Sequence, residues 1–393
     1  MAYELFPEVH GAILRATLED GYASSSATVN TANDVYRCPP EATFDSFQRT
    51  FIARDTQAAF ITGVRSSAGM AEGAFAIDAI LAPQTINNPT LATENSISGV
   101  PKCDLWLRAG GWIASHTNNT DYPATDVKPD GVTLAGNSTD QILTYTYKPR
   151  STGQAFTSAK IEYDEVSELG TEGLRHTLSG SRLGWTLTFG TGGEHWVYSC
   201  TGKSLAATPA KITPTTGSGF DDNDAIVALG GNYSITKFTA SAETFGKASE
   251  TAAASTLAAF CSSMELSSNL EIQTVQDSSG DFGVSQVRYQ GGRPQLKIVI
   301  DQIVWSDDFD LYDHMNSGAA IRVSHAVPQP GATPTSFVVF KGTFQITAIE
   351  KGTGETGYRN ATVTLDYLYP QNSSDAGGLV PEPGITLRWV TTV

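Results

Sequence analysis

A mainly β fold, built as two tandem domains with short flanking helices, is what this sequence predicts, and three observations predict it. Apolar and polar residues alternate at period two in one segment after another, glycine-bearing turns punctuate those segments, and runs with helical spacing are few. A chain of 393 residues also exceeds the usual 100–200 residues of one domain, so two units are expected.

Residues 1–40 are rich in Ala, Ser, Thr and Asn and poor in periodic apolar patterning, and read as an N-terminal arm or loop. A first domain follows over 41–207. Within it Leu143-Thr144-Tyr145-Thr146-Tyr147 and Trp185-Thr186-Leu187-Thr188-Phe189 alternate without a break, as does Val363-Thr364-Leu365-Asp366-Tyr367 in the second domain. Such strands bury one face and wet the other. Gly190-Thr191-Gly192-Gly193-Glu194 and Gly352-Thr353-Gly354-Glu355-Thr356-Gly357 carry the residues of tight turns. Pro209, Pro214 and the run Asp221-Asp222-Asn223-Asp224 mark a linker over 208–232, and the second domain occupies 233–393.

Helix is expected in three places. Leu257, Cys261 and Met264 share a helical face in the Ala-rich stretch Glu250–Met264. Two shorter helices are predicted over Leu105–Ala109, stopping at Gly110-Gly111, and over Phe309–Asn316, stopping at Gly318. The two halves look related. At an offset of 223 positions Val64 and Arg65 meet Val287 and Arg288, Asp78 meets Asp301 and Ile80 meets Ile303, which reads as a duplication with an insertion around 82–102 in the first copy.

A formal charge of −16 argues against a nucleic-acid grip, which needs clustered Lys and Arg to displace counterions from phosphates. The low charged fraction of 17% suits a chain with a large covered interface. Cys38, Cys103, Cys200 and Cys261 lie far apart, without a CxxC or Cys/His cluster, and read as isolated reduced thiols. No apolar run approaches the ~20 residues of a membrane span. The segment Met1–Pro7 has neither the basic nor the apolar region of a signal peptide, so synthesis in the cytosol is expected.

Catalytic patterns are missing. His10, His116, His176, His195, His314 and His325 are scattered, with no HExxH pair, and there is no GxSxG elbow or GxxxxGK[ST] loop. A carboxylate pair leaves no spacing signature. The candidates Asp307/Asp308/Asp310 and Glu162/Asp164/Glu165 have simpler readings, as the acidic start of a helix and as the outward face of a strand. The aspartates at 221, 222 and 224 lack the Gly and Glu of a calcium loop. Neither a cofactor nor a metal is expected, and the chain does not read as an enzyme.

One family resemblance runs along most of the sequence. Asp104-Leu105-Trp106-Leu107-Arg108-Ala109-Gly110-Gly111-Trp112, followed by Leu143–Pro149, resembles the "LLRACGF … VTYTP" run of siphovirus major tail tube proteins. Ser158–Asp164 resembles that family's "SATIYF" strand, His176–Gly184 its "KLTGARGT" turn, and the strand reaching Cys200-Thr201-Gly202 its "FTFTGLY". Met264–Glu271, Val287-Arg288 and Leu365–Pro370 continue the series. The chain departs from the pattern at Gly110-Gly111, in a long insert at 113–140, and over 1–40.

The resemblance implies two tail-tube-type β-sandwich or barrel domains whose sheets join neighbouring subunits into a barrel around a channel. The partners it implies are further copies of the chain, as a homotrimeric pseudo-hexameric ring or a homohexamer, in stacked rings. It also implies contacts with a tape measure protein and with tail terminator and tail tip proteins, a location in the virion tail, and DNA passing through the lumen without specific binding. On that reading Asp78, Glu162, Asp164 and Asp301, at outward strand positions, are the candidate lumen or ring-contact carboxylates. The competing classes are a receptor- or carbohydrate-binding β-sandwich of a virion and a secreted β-hydrolase. Trp112, Trp196 and Trp305 lie in or beside patterned strands, which favours core over an exposed sugar platform.

Overall fold

The alternating segments form antiparallel strands in the computed structural model of the chain. It describes residues 11–30, 35–36, 41–52, 67–81, 101, 103–119, 142–150, 156–166, 172–190, 196–213, 232–237, 256–257, 261–278, 281–300, 311–318, 320–328, 336–353, 359–368 and 385–392. The first half contains β1 (Gly11–Leu18), β2 (Val35–Tyr36), β3 (Thr43–Ile52), β4 (Ser67–Leu81), α1 (Asp104–Ala109), β5 (Trp112–Asn119), β6 (Ile142–Pro149), β7 (Ala159–Val166), β8 (Gly173–Phe189), β9 (Trp196–Leu205) and β10 (Ala210–Ile212). The second contains β11 (Asn232–Lys237), β12 (Thr256–Leu257), β13 (Cys261–Ser267), β14 (Glu271–Gln276), β15 (Val284–Gln290), β16 (Gln295–Ile300), α2 (Leu311–Ser317), β17 (Ala320–Pro328), β18 (Ser336–Thr353), β19 (Arg359–Tyr367) and β20 (Ile385–Thr392).

Strand order repeats between the halves. In the first, neighbours hydrogen-bond in the order β1-β7-β8-β9-β4-β3. In the second the order is β11-β17-β18-β19-β16-β13. Ranked by position in the chain, both run first, fourth, fifth, sixth, third, second. A short helix lies between the third and fourth strand of each set. A seventh strand, β10 or β20, returns to the N-terminal part of the long fifth strand, β8 or β18. Among the described residues the hairpins β5–β6 and β14–β15 each stand in one half alone.

The halves share one sheet and one core. β13 pairs with the end of β8, and β20 pairs with β6, so among the described residues two β-ladders cross between the halves. Residues directly opposite in a ladder lie on the same face. The row Ala79, Tyr198, Leu187, Leu266, Leu296, Leu365, Ile346 therefore runs over both halves on one face. Its members from Tyr198 to Ile346 are buried. Burying each leucine contributes about 1.5–3 kcal/mol, and four of them in line hold the halves together.

Several expectations need correction. Residues 11–18 are not a loop but β1, paired with β7 over eight residues, with Leu14 and Ala16 fully buried. Alanine is small enough to pack between sheets without registering as hydrophobic patterning. The segment 208–232 begins with β10, hydrogen-bonded to β8, and reaches β11. Cys261–Met264 is strand, not helix. Met264 and Leu266 both point into the core from β13, and pairing with β8 on one side and β16 on the other outweighs a weak helical preference. β6 alternates as expected but is buried on both faces, Thr144 and Thr146 included.

Both short helices form where glycine was expected to stop them. Asp104 sits in the first turn of α1 and Arg108 in the last, each suited to its end of the helix dipole. A side chain at Gly110 would collide with Tyr198, Trp185 and Leu183, so only glycine lets the chain pass there. The Gly110 carbonyl accepts the Trp185 indole N–H at 2.9 Å.

Candidate functional site

The feature that stands out is the far side of the shared sheet. Eight strands follow one another as β3-β4-β9-β8-β13-β16-β19-β18. Opposite the leucine row lies a second row, Asp78, Ser199, Thr186, Ser267, Gln295, Asp366, Gln345. Beside it run Ile80, Val197, Thr188, Glu265, Lys297 and Thr364. No member of these rows is buried, and Asp78, Ile80, Thr188, Glu265 and Lys297 are exposed. One face is thus core and the other a continuous hydroxyl- and acid-bearing surface that spans both halves.

Some charges on or beside that surface are tied down. Lys203 Nζ donates to Glu72 at 2.7 Å, and Gln295 Nε2 donates to Asp366 at 2.9 Å, with Arg293 3.6 Å from the same carboxylate. Asp78 and Glu265 stand in solvent. Both ends of the strand run are edges. Among the described residues β3 forms a ladder only with β4, and Ala348–Thr353 of β18 only with β19.

The predicted carboxylates divide between two places. Asp78 lies on the polar face, and Asp301 falls outside the described residues, as do Val64, Arg65, Ile303, Trp305 and the runs 221–224 and 307–310. Glu162 and Asp164 belong to the sheet β1-β7-β8-β10, remote from Asp78 in strand order. Asp164 does not face outward, since its side chain is fully buried. It accepts Arg15 Nη1 at 2.7 Å and a two-pronged contact from Arg175 at 2.7 and 2.8 Å. Arg175 also approaches Glu162 at 3.4 Å, and these carboxylates hold its guanidinium more firmly charged than usual. Alternation identifies which residues share a face; it does not reveal that β7 is covered on both.

Two other polar nodes brace the fold. Glu19, buried, accepts the backbone N–H groups of Gly180 and Ala23 and the Ser158 hydroxyl. Arg182 sits over the rings of Tyr22, Phe156 and Tyr289 and donates to the Val287 carbonyl at 2.9 Å. Val287 N–H in turn donates to the Tyr22 hydroxyl at 2.6 Å, and the Tyr289 hydroxyl donates to the Ala109 carbonyl. The β14–β15 hairpin of the second half is thereby clamped onto the first.

Nothing in these clusters assembles a reaction centre. Among the described residues no group of three His, Cys, Asp or Glu is placed to hold a metal ion, and no helix is long and apolar enough to cross a membrane. His176, His314 and His325 are buried, and so are Cys103 and Cys200. Burial pushes the Cys200 thiol well above its ordinary value, which opposes nucleophilic use. Trp112 and Trp196 are core, not a sugar platform.

Asp104 offers a test of burial energetics. Desolvation raises its carboxyl above the usual range, although Arg108 and the Tyr147 hydroxyl, donating at 2.8 Å, favour the charge. The folded state therefore keeps this proton to higher pH than the unfolded chain. Asp104 costs stability as pH rises from the unfolded value through the folded one, and nothing below both. Asp104→Asn, which keeps an oxygen for Tyr147, is expected to raise the urea midpoint at pH 8 and to leave it nearly unchanged at pH 3. An equal shift at both pH values would contradict this.

No protein-family model matches the chain, and no curated protein sequence is similar to it.

Proposed function

We propose that this chain is a structural subunit of a bacteriophage tail tube, which closes into rings that stack to form the channel for genome delivery. The observation that carries the proposal is the eight-strand run, apolar on one face, polar and acid-bearing on the other, and open at both ends. An open edge with unpaired N–H and C=O groups is a template for association, and a closed barrel removes it altogether. The leucine row faces the protein's own core, which leaves the polar face for the lumen. Asp78 and Glu265 there would repel phosphates, so DNA slides past without a grip.

The repeated strand order supports a tandem pair of tail-tube-type domains fused by the β8–β13 joint. Because the second half supplies four strands of the same run, three chains in a pseudo-sixfold ring account for the arrangement better than six chains with the second domain outside. The tape measure protein, tail terminator and tail tip proteins are the partners this role requires, and the virion tail its location. Negative-stain microscopy of the purified protein tests the reading. Hollow rings or tubes are expected, whereas monomers that bind glycans would transfer the chain to the receptor-binding class.

A further inference from the structure

Charged side chains inside folded proteins are normally paired, because an isolated ion away from water is strongly penalised. Arg182 departs from that rule. It is only 8% exposed, yet the arginines that reach a carboxylate among the described residues are Arg15, Arg108, Arg175 and Arg293. Arg182 Nη1 donates to the Val287 carbonyl, and its Nε is buried without an acceptor. Arg150, half-buried just past β6, is in the same state. Its Nη2 donates to the Thr157 hydroxyl, and its Nε too is buried without an acceptor.

One ring brings the two guanidiniums together. Arg150 Cζ lies 5.8 Å and Arg182 Cζ 6.0 Å from the centre of Phe156, on which Tyr289 packs at 4.7 Å. Tyr22 and Tyr289 lie 5.0 and 5.6 Å from Arg182 Cζ. These rings strip water from the cations and return part of the loss by cation–π attraction. Arg108 adds a third charge from the last turn of α1, 3.6 Å from Asp104, a carboxylate that the Tyr147 hydroxyl already engages. Desolvation first, and then the Arg108 charge, make Arg150 easier to deprotonate than an ordinary arginine, with Arg182 adding to the repulsion. Acids nearby give no relief. The stretch 151–155 contains none, and Glu19, beside Tyr22, is committed to Gly180, Ala23 and Ser158. Phe156 is 40% exposed, so this cationic, ring-lined spot opens to solvent.

We infer that Arg150 and Arg182, beside Phe156 and Tyr289, form a binding site for an oxyanion of the phosphate or carboxylate type. A guanidinium presents its N–H groups as a planar fork that matches two oxygens of such a group. Aromatic walls lower the local dielectric and strengthen the charge-assisted bonds. The oxyanion supplies the counter-charge that the described residues do not, and it relieves the repulsion between the arginines. This site goes beyond the tube reading and does not depend on ring closure. A dissolved anion and a carboxylate side chain of a second copy share the chemistry, and the test separates them.

The probe is inorganic phosphate, titrated into isotope-labelled wild-type protein below its assembly concentration, against chloride at equal ionic strength. Two arginine Nε–H resonances are expected to shift together with half-saturation at about 1 mM or below, and calorimetry to count one phosphate per chain. Arg150→Gln is expected to weaken that binding about tenfold, the loss of one charge-assisted hydrogen bond, while Lys297→Gln on the polar face leaves it unchanged. Should the same two resonances shift in phosphate-free chloride as the protein is concentrated, and phosphate compete with that shift, the oxyanion is a carboxylate of a second copy. No shift under either condition, or phosphate uptake that Arg150→Gln leaves intact, would overturn the site and leave Arg182 a brace alone.

Discussion

Asp164→Ala is expected to cost about 3–5 kcal/mol, the loss seen when one partner of a buried ion pair is deleted. Arg15 and Asp164 are both fully buried, and Arg175 reaches the same carboxylate from β8. The carboxylate therefore ties β1, β7 and β8 into one register. Without it, two guanidiniums about which the sheet is built would face each other with their shared acceptor gone. Urea unfolding monitored by circular dichroism measures the loss. Glu162→Gln, which removes only a 3.4 Å contact at a partly exposed site, is expected to cost under about 1 kcal/mol. Equal losses for the two variants would show that Asp164 is not the organising charge. Replacing Arg15 by Met together with Asp164 by Leu should recover much of the stability, because removing a buried pair entirely spares its desolvation.

Steep unfolding above about pH 10, the ordinary phenol range, is the second large effect expected. Tyr147, Tyr198 and Tyr289 have their hydroxyls pushed above that range by burial, and Tyr145 is pushed up to about 12, by burial first and then by the Asp104 charge. Above the unfolded value the native state holds protons that the unfolded chain has released. Stability is therefore full below it and falls as pH rises toward the folded values. Each phenol contributes a slope of about 1.4 kcal/mol per pH unit within that window. Tyrosinate absorbance should appear together with the loss of β-sheet signal, in one cooperative step. Ionisation of all the tyrosines near pH 10 with the sheet intact would contradict the burial of these rings.

These residues also show what a sequence can and cannot disclose. α1 was legible because Gly110-Gly111 ends it and the acid and base suit its two ends; α2 was legible from Gly318. The end of β8, Trp185–Phe189, and β19 were legible because each has one wetter face, so period two is written in full there. β1 was not, since both its faces are covered and its inward residues include small alanines and a buried arginine. β13 was misread because Leu257, Cys261 and Met264 satisfy a helical stripe as well as a strand edge, and only pairing partners distant in sequence decide between them.

The polar face was seen in part for the same reason. Asp78 was picked out from a strand whose alternation is plain, whereas Glu265 directly follows the segment Glu250–Met264 that reads as helix. That the two stand on one surface follows from ladders linking β4 to β13 through β9 and β8. The proposed duplication rests in the sequence on an offset of 223 positions; the strand order common to both halves, which loops of unequal length hide in the sequence, is the stronger support for it.

Native mass measurement of the protein assembled at high concentration tests the closed ring most directly. A dominant species of three 41.7 kDa chains, or stacks in whole multiples of three, is the outcome this account predicts. A single chain at all concentrations, or an open series growing one chain at a time without closure, would contradict it.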